Sequence, residues 1–209
     1  RSSITDVTDP SFNPIVNIFS TLYEFAALKS DGSVTAWGRE VNGAHDAPTS
    51  VKSPNSNVVN VVATDYAFAA LKSDGSITVW GDESYGGSTS SGGVYASKWS
   101  GAPTGNANTG FVKIVSNKQA FTALKNDGTI KAWGNVYGGG KSSVLYGEVT
   151  YVPTVNDIPY DAVDIFSSDY AFAVLKKDGS ILSWGWTQHN PGDKLIAGDD
   201  NTHSKNHFV

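Results

Sequence analysis

The chain has 209 residues, 39% hydrophobic and 17% charged, with a formal net charge of −5 at pH 7. Its only arginines are Arg1 and Arg39, so no cluster of basic side chains exists to displace counterions, and nucleic acid is excluded as a partner. Cysteine and methionine are both absent, which removes disulfides and thiolate metal sites and fits an exported, oxidation-tolerant protein whose sequence starts after any initiator.

No apolar run reaches the length of a membrane span, and no signal-peptide pattern opens the chain. Residues 1–15 precede the first recognisable element; within them, residues 4–12 are a candidate closing strand. From there the chain repeats itself. "ALKSDGSVTAWG" begins at Ala27 and returns as "ALKSDGSITVWG", "ALKNDGTIKAWG" and "VLKKDGSILSWG". The marker aspartates Asp31, Asp74, Asp127 and Asp178 are spaced by 43, 53 and 51 residues, the range of a propeller blade or solenoid unit.

Each copy predicts three strands. The first, as in Val16-Asn17-Ile18-Phe19, alternates, with Asn17, Asn60, Lys113 and Asp164 between apolar neighbours. The second, as in Phe25-Ala26-Ala27-Leu28, is apolar on both faces and predicts a strand buried between layers. Asp-Gly then supplies a tight hairpin turn, and the third strand ends in Trp-Gly. A fourth, outermost strand is predicted near Pro48-Thr49, Pro103-Thr104 and Pro153-Thr154, since proline in a sheet belongs at an edge. Helical periodicity is nearly missing. The predicted fold is all-β: a β-propeller-like array of four repeats, each of three to four antiparallel strands. The chain reads as one domain, 1–209, with repeats at about 16–47, 59–102, 112–152 and 163–209. The tryptophans Trp37, Trp80, Trp133 and Trp184 recur once per repeat and are assigned to packing between blades rather than to a fourfold ligand site.

The run "LKSDGSVTAWGREVNGAHDAPTSV" resembles the repeat of the regulator-of-chromosome-condensation family, over residues 16–185. In style it is closest to secreted bacterial members such as the propeller-type β-lactamase inhibitory protein. The resemblance implies a propeller that binds a protein target across one face. Two features depart from the family. Its usual Gly and His before the Leu are replaced by Thr21 and Glu24, Thr64 and Ala67, Asn117 and Ala120, and Ser168 and Ala171. The family's seven blades are here four, so the ring closes as a small propeller, closes between two chains, or belongs to a longer array.

Strand direction places the turn after the first strand and the loop after the third strand on one face, called upper here. The Asp-Gly hairpins share the lower face. The hairpins are nearly constant, which suits a turn set by backbone geometry alone. The upper loops vary and are rich in Gly, Ser and Tyr, the composition of adaptable recognition surfaces. Candidate partner-binding residues are Tyr66, Tyr85, Tyr95, Trp99, Tyr137, Tyr146 and Tyr170.

Enzymatic chemistry finds no motif: no phosphate-cradling loop and no nucleophile elbow occur. His203 and His207 stand four apart, but in a polar tail without helical pattern, and Gly198-Asp199-Asp200 lacks calcium-loop spacing. No catalytic residue, cofactor or metal is expected. The reading is a non-enzymatic recognition module, extracellular or on a cell surface, with a protein partner. A lectin-like propeller binding glycans is the first alternative, favoured by Tyr23, Tyr66 and Tyr170 at equivalent positions and disfavoured by Gln119 at the fourth. A structural or assembly subunit of an adhesin, toxin or filament, self-associating to complete the propeller, is the second.

Overall fold

The structure, a computed structural model, describes residues 13–40, 43–90, 99–140 and 161–185. The candidate closing strand in residues 4–12, Pro153-Thr154 and the C-terminal histidines lie outside these residues. Four antiparallel sheets follow one another along the chain. Blade 1 is β1 (Ile15–Ser20), β2 (Glu24–Lys29) and β3 (Val34–Gly38). Blade 2 is β4 (Val58–Ala63), β5 (Ala67–Lys72) and β6 (Ile77–Gly81). Blade 3 is β8 (Phe111–Ser116), β9 (Ala120–Lys125) and β10 (Ile130–Asn135), with a short outer strand β7 (Trp99–Ser100). Blade 4 is β11 (Ala162–Ser167), β12 (Ala171–Lys176) and β13 (Ile181–Gly185). The first strands are innermost: the turns after them, one from each blade, line a single opening.

Each Asp-Gly pair turns the chain between the second and third strands, with Gly32, Gly75, Gly128 and Gly179 at φ of 76°, 76°, 87° and 82°. These values suit glycine, which carries no Cβ penalty there. Backbone geometry is not the whole cause, contrary to the expectation above. Asp74 Oδ1 accepts from the Ser76 N–H at 2.9 Å and from its hydroxyl at 2.6 Å, and Asp31 and Asp178 do the same with Ser33 and Ser180. Asp127 accepts the Thr129 N–H at 2.8 Å.

The first strands do not alternate strictly. Each carries a register shift, between Ile15 and Asn17, Val58 and Asn60, Phe111 and Lys113, and Ala162 and Asp164. The extra residue is a bulge, so the inward positions are three apart instead of two: Val58 with Val61, Phe111 with Ile114, and Ala162 with Ile165 are buried, while the bulged Val59, Val112 and Val163 are exposed.

The predicted fourth strand is also placed differently. Pro48-Thr49 opens a one-turn helix α1 (Thr49–Lys52) that buries Val51. In blade 3 the outer strand is Trp99–Ser100, paired with Asn135 and Gly134, a few residues ahead of Pro103. Proline has no N–H for a ladder, and the strand stops before it. The outer strand thus belongs to the blade that follows it in sequence.

The blades pack front on back. The front of blade 2 (Val58, Val61, Phe68, Trp80) buries itself on the back of blade 1 (Ala26, Leu28, Val34, with Phe19). The same positions recur between blades 2 and 3 and between blades 3 and 4. On each front face Phe and Trp are cross-strand partners with rings close together, at centroid distances of 5.1 Å for Phe68–Trp80 and 5.3 Å for Phe121–Trp133. The indoles of Trp80, Trp133 and Trp184 each donate, at 3.1 Å, to a carbonyl of the preceding loop, at Ala44, Gly86 and Gly139. Buried indoles need such a partner, and these three tryptophans are packing residues between blades.

Candidate functional site: the upper face

The upper face is built from the turns after the first strands. In each, a small polar side chain accepts the N–H three residues on: Thr21 from Glu24 at 2.9 Å, Thr64 from Ala67 at 3.1 Å, Asn117 from Ala120 at 2.8 Å and Ser168 from Ala171 at 3.2 Å. This is where the sequence departs from the family pattern, and Thr, Asn and Ser each bring to the turn a side-chain oxygen that accepts a backbone N–H. The turns are also tied to one another. Leu22 N–H donates to the Asp65 carbonyl, Asp65 N–H to that of Lys118, and Lys118 N–H to that of Asp169, at 2.9 to 3.1 Å.

The loops after the third strands are drawn to the same face. Asp82 and Asn135 cap single 3-10 turns by accepting the N–H groups of Ser84 and Tyr137. Thr64 donates its hydroxyl to the Tyr85 carbonyl at 3.2 Å, and the Asn117 amide donates to the Gly138 carbonyl at 2.7 Å. Two of the candidate residues are thereby brought together. Tyr66 and Tyr85 meet edge to face at 4.6 Å, and Tyr23 lies 5.9 Å from Tyr66 on the other side. The Arg39 guanidinium stands 5.2 Å from the Tyr23 ring centre. The result is a row, Arg39–Tyr23–Tyr66–Tyr85, running across blades 1 and 2.

Tyr170 sits in the blade 4 turn, with the Lys118 ammonium 5.2 Å above its ring and bonded to Asp169 Oδ2 at 2.7 Å. Tyr137 is exposed at the blade 3 loop, and Trp99 is in β7. Tyr95 and Tyr146 lie outside the described residues. Strand direction puts Lys118, in the blade 3 turn, on this face from the sequence alone, but gives Arg39 no role there. The signal of Arg39 is faint: a lone cation just after a Trp-Gly strand end, with nothing in the sequence to say that it reaches the ring of Tyr23.

Between the turns lies an opening of about 410 Å³ bordered by all four blades. Asp65, Lys118 and Asp169 stand at its rim. The hydrogen bond that it donates to Asp169 holds the Lys118 ammonium above its ordinary pKa. Burial raises Asp65, with Lys118 opposing and Asp169 adding to the rise. Burial also raises the Tyr66 and Tyr85 phenols, so both stay neutral hydrogen-bond donors at physiological pH. Among the described residues no group of three or more His, Cys, Asp or Glu side chains is arranged to hold a metal ion. What the face offers is adjacent aromatic edges, two cations and phenolic hydroxyls beside a polar opening, a composition suited to binding.

The sequence matches no protein-family model and no curated protein. Solved structures do match. Prp20p of Saccharomyces cerevisiae, the yeast RCC1, superposes with a TM-score of 0.57 at 23% identity, over 83% of this chain and 45% of that one. Human WBSCR16 gives 0.56 at 16% identity, over 92% and 52%. The CRINKLY WD40 ectodomain of the Arabidopsis thaliana receptor kinase ACR4 gives 0.50 at 17% identity, over 85% and 53%. The chain spans about half the length of these proteins. At such identities the likeness is one of fold, and it agrees with the four front-on-back sheets and their Asp-Gly hairpins: this chain carries the RCC1-type β-propeller repeat fold.

Proposed function

We propose that the chain is a non-enzymatic recognition module that binds a protein partner through its upper face. The observation that carries this reading is the Arg39–Tyr23–Tyr66–Tyr85 row, in which three rings from two blades and a loop are held side by side next to an open, polar-rimmed depression. Tyrosine supplies large, rigid contact area at low entropic cost, and it is enriched with arginine where binding energy concentrates. Support of a general kind comes from the fold: Prp20p is described with binding properties to Gsp1p and histones, and yeast RCC1 with Kap60 bound. An extracellular or cell-surface setting goes with the lack of cysteine and methionine. Tyr137 and Tyr170 extend the same surface.

The test selects ligands of the intact chain from a displayed peptide library and, in parallel, from a glycan panel. Selected peptides are expected to lose roughly tenfold or more in affinity, the size of a hot-spot truncation, on Tyr66→Ala or Arg39→Ala, and to keep it on the lower-face change Lys29→Ala. Equal binding by all variants overturns the placement of the site. Glycans selected with the same Tyr66 dependence overturn the class of partner.

A further inference from the structure

We infer that two copies of this chain join head to tail, the front of blade 1 on the back of blade 4, to close a ring of eight blades. The inference rests on the blade interfaces and is independent of the upper-face reading.

Among the described residues there are three front-on-back interfaces, and both halves of a fourth are exposed. Front-face residues that are buried in blades 2, 3 and 4 are exposed in blade 1. Ile15 is 53% exposed where Val58 is 4%; Ile18 is 54% exposed where Val61 is 1%; Trp37 is 43% exposed where Trp133 is fully buried. On the back face the reverse holds. Ile181 of blade 4 is 63% exposed where Ile77 and Ile130 lie within the core, and Phe166 stands open where Phe19 packs against blade 2. Contiguous apolar surface of this kind marks an interaction site.

The polar connections show the same complementarity. Three hairpin glycines accept the N–H that begins the next blade: Gly32 from Val58, Gly75 from Phe111 and Gly128 from Ala162. Ile15 holds the donor position of this bond and Gly179 the acceptor position, with no neighbouring blade to complete either among the described residues. On the upper face, the chain of bonds from Leu22 through Asp65 and Lys118 to Asp169 ends in an Asp169 N–H and begins with a Leu22 carbonyl. Among the described residues no loop carbonyl receives the Trp37 indole N–H, whereas those of Trp80, Trp133 and Trp184 are received at Ala44, Gly86 and Gly139. Every connection left open on blade 1 thus has its counterpart position on blade 4, apart from the loop after β13, which lies beyond the described residues.

That match commits the occupant: a surface shaped for the back of one of these blades is supplied by a second copy's blade 4. Such a contact is heterologous, so it either closes into a ring or runs on as a filament. Closure at two copies is favoured because eight blades fall within the range that propellers close at.

The experiment is sedimentation of the full chain over a concentration series, with Ile18→Glu and Ile181→Glu, and Ile15→Lys and Phe166→Lys as a second pair of exposed positions. Wild type is expected at about twice 22.1 kDa. Each variant alone is expected at monomer mass with an unchanged circular dichroism spectrum. Mixing Ile18→Glu with Ile181→Glu is expected to restore a dimer, because the mixture keeps one intact front and one intact back. A wild type that stays monomeric at every concentration, variants that still dimerise, a mixture that fails to associate, or a mass that grows without limit would each overturn the two-copy ring.

Discussion

At the residue scale, the four Asp-Gly turns show how a repeated pair of letters carries two kinds of physics. Glycine was legible at once, since a left-handed position between apolar runs is its usual place. The aspartate's task was not, because the spacing alone does not say that Oδ1 reaches two residues ahead to Ser33, Ser76, Thr129 or Ser180. Those hydrogen bonds hold the carboxyls of Asp31, Asp74, Asp127 and Asp178 below the ordinary value of 3.8. A carboxyl depressed in the folded state contributes stability above its unfolded pKa and loses it as pH falls through the folded one. Asp65, raised by burial, acts in the opposite sense but is a single group. Thermal unfolding is therefore expected to drop as pH is lowered below about 4. Asp74→Asn, which keeps an oxygen acceptor and loses the charge, is expected to start lower at pH 7 and fall less on acidification; a parallel pH profile would contradict the assignment. Glu24 illustrates the opposite difficulty. It occupies the site of Ala67, Ala120 and Ala171, is buried, bonds Thr21 through Oε2 and leaves Oε1 without a partner; nothing in its repeat position announces this.

At the scale of elements, the second strands and the tryptophans were readable because full burial and a fixed slot per repeat leave few alternatives. The bulges in the first strands were hidden by their own residues: Val16, Val59, Val112 and Val163 look like core and are exposed. The two-residue β7 is too short for any periodicity to register. The blade contacts make a comparison of two otherwise identical turns informative. A Cβ on Gly75 would stand 2.8 Å from the Gly110 nitrogen and 2.9 Å from that of Phe111, whereas a Cβ on Gly179 meets nothing within 4 Å. Gly179→Ala is expected to cost about 1–2 kcal/mol, the left-handed penalty alone. Gly75→Ala adds roughly another 1–3 kcal/mol for forcing the blade 2–blade 3 contact apart. Denaturant titrations at high dilution measure the difference, and equal costs would contradict the packing described. Trp133→Ala, emptying a fully buried site, is expected to cost about 3–5 kcal/mol, and Trp37→Ala at the same dilution under about 1 kcal/mol. A Trp37 change as costly as the Trp133 change would mean that something covers blade 1.

For the whole molecule, the four repeats made the propeller architecture plain, but not whether the array closes. That depends on which faces find partners, and the periodic letters are the same on a covered blade and an open one. The upper face was legible as a place, through strand direction and loop composition. Its Arg39–Tyr23–Tyr66–Tyr85 row was not, since it assembles three separate segments. Blade 1 leaves its front exposed and blade 4 its back, and amide hydrogen exchange reads most directly whether the two faces find a partner. At a concentration where the chain is monomeric, the N–H groups of Asp65, Lys118, Val58 and Phe111, which bond across blades, are expected to be protected, while those of Ile15 and Asp169 exchange freely. Raising the concentration is expected to slow Ile15 and Asp169 selectively. Protection of both at every concentration would show that the four blades close on themselves within one chain, and would contradict the account.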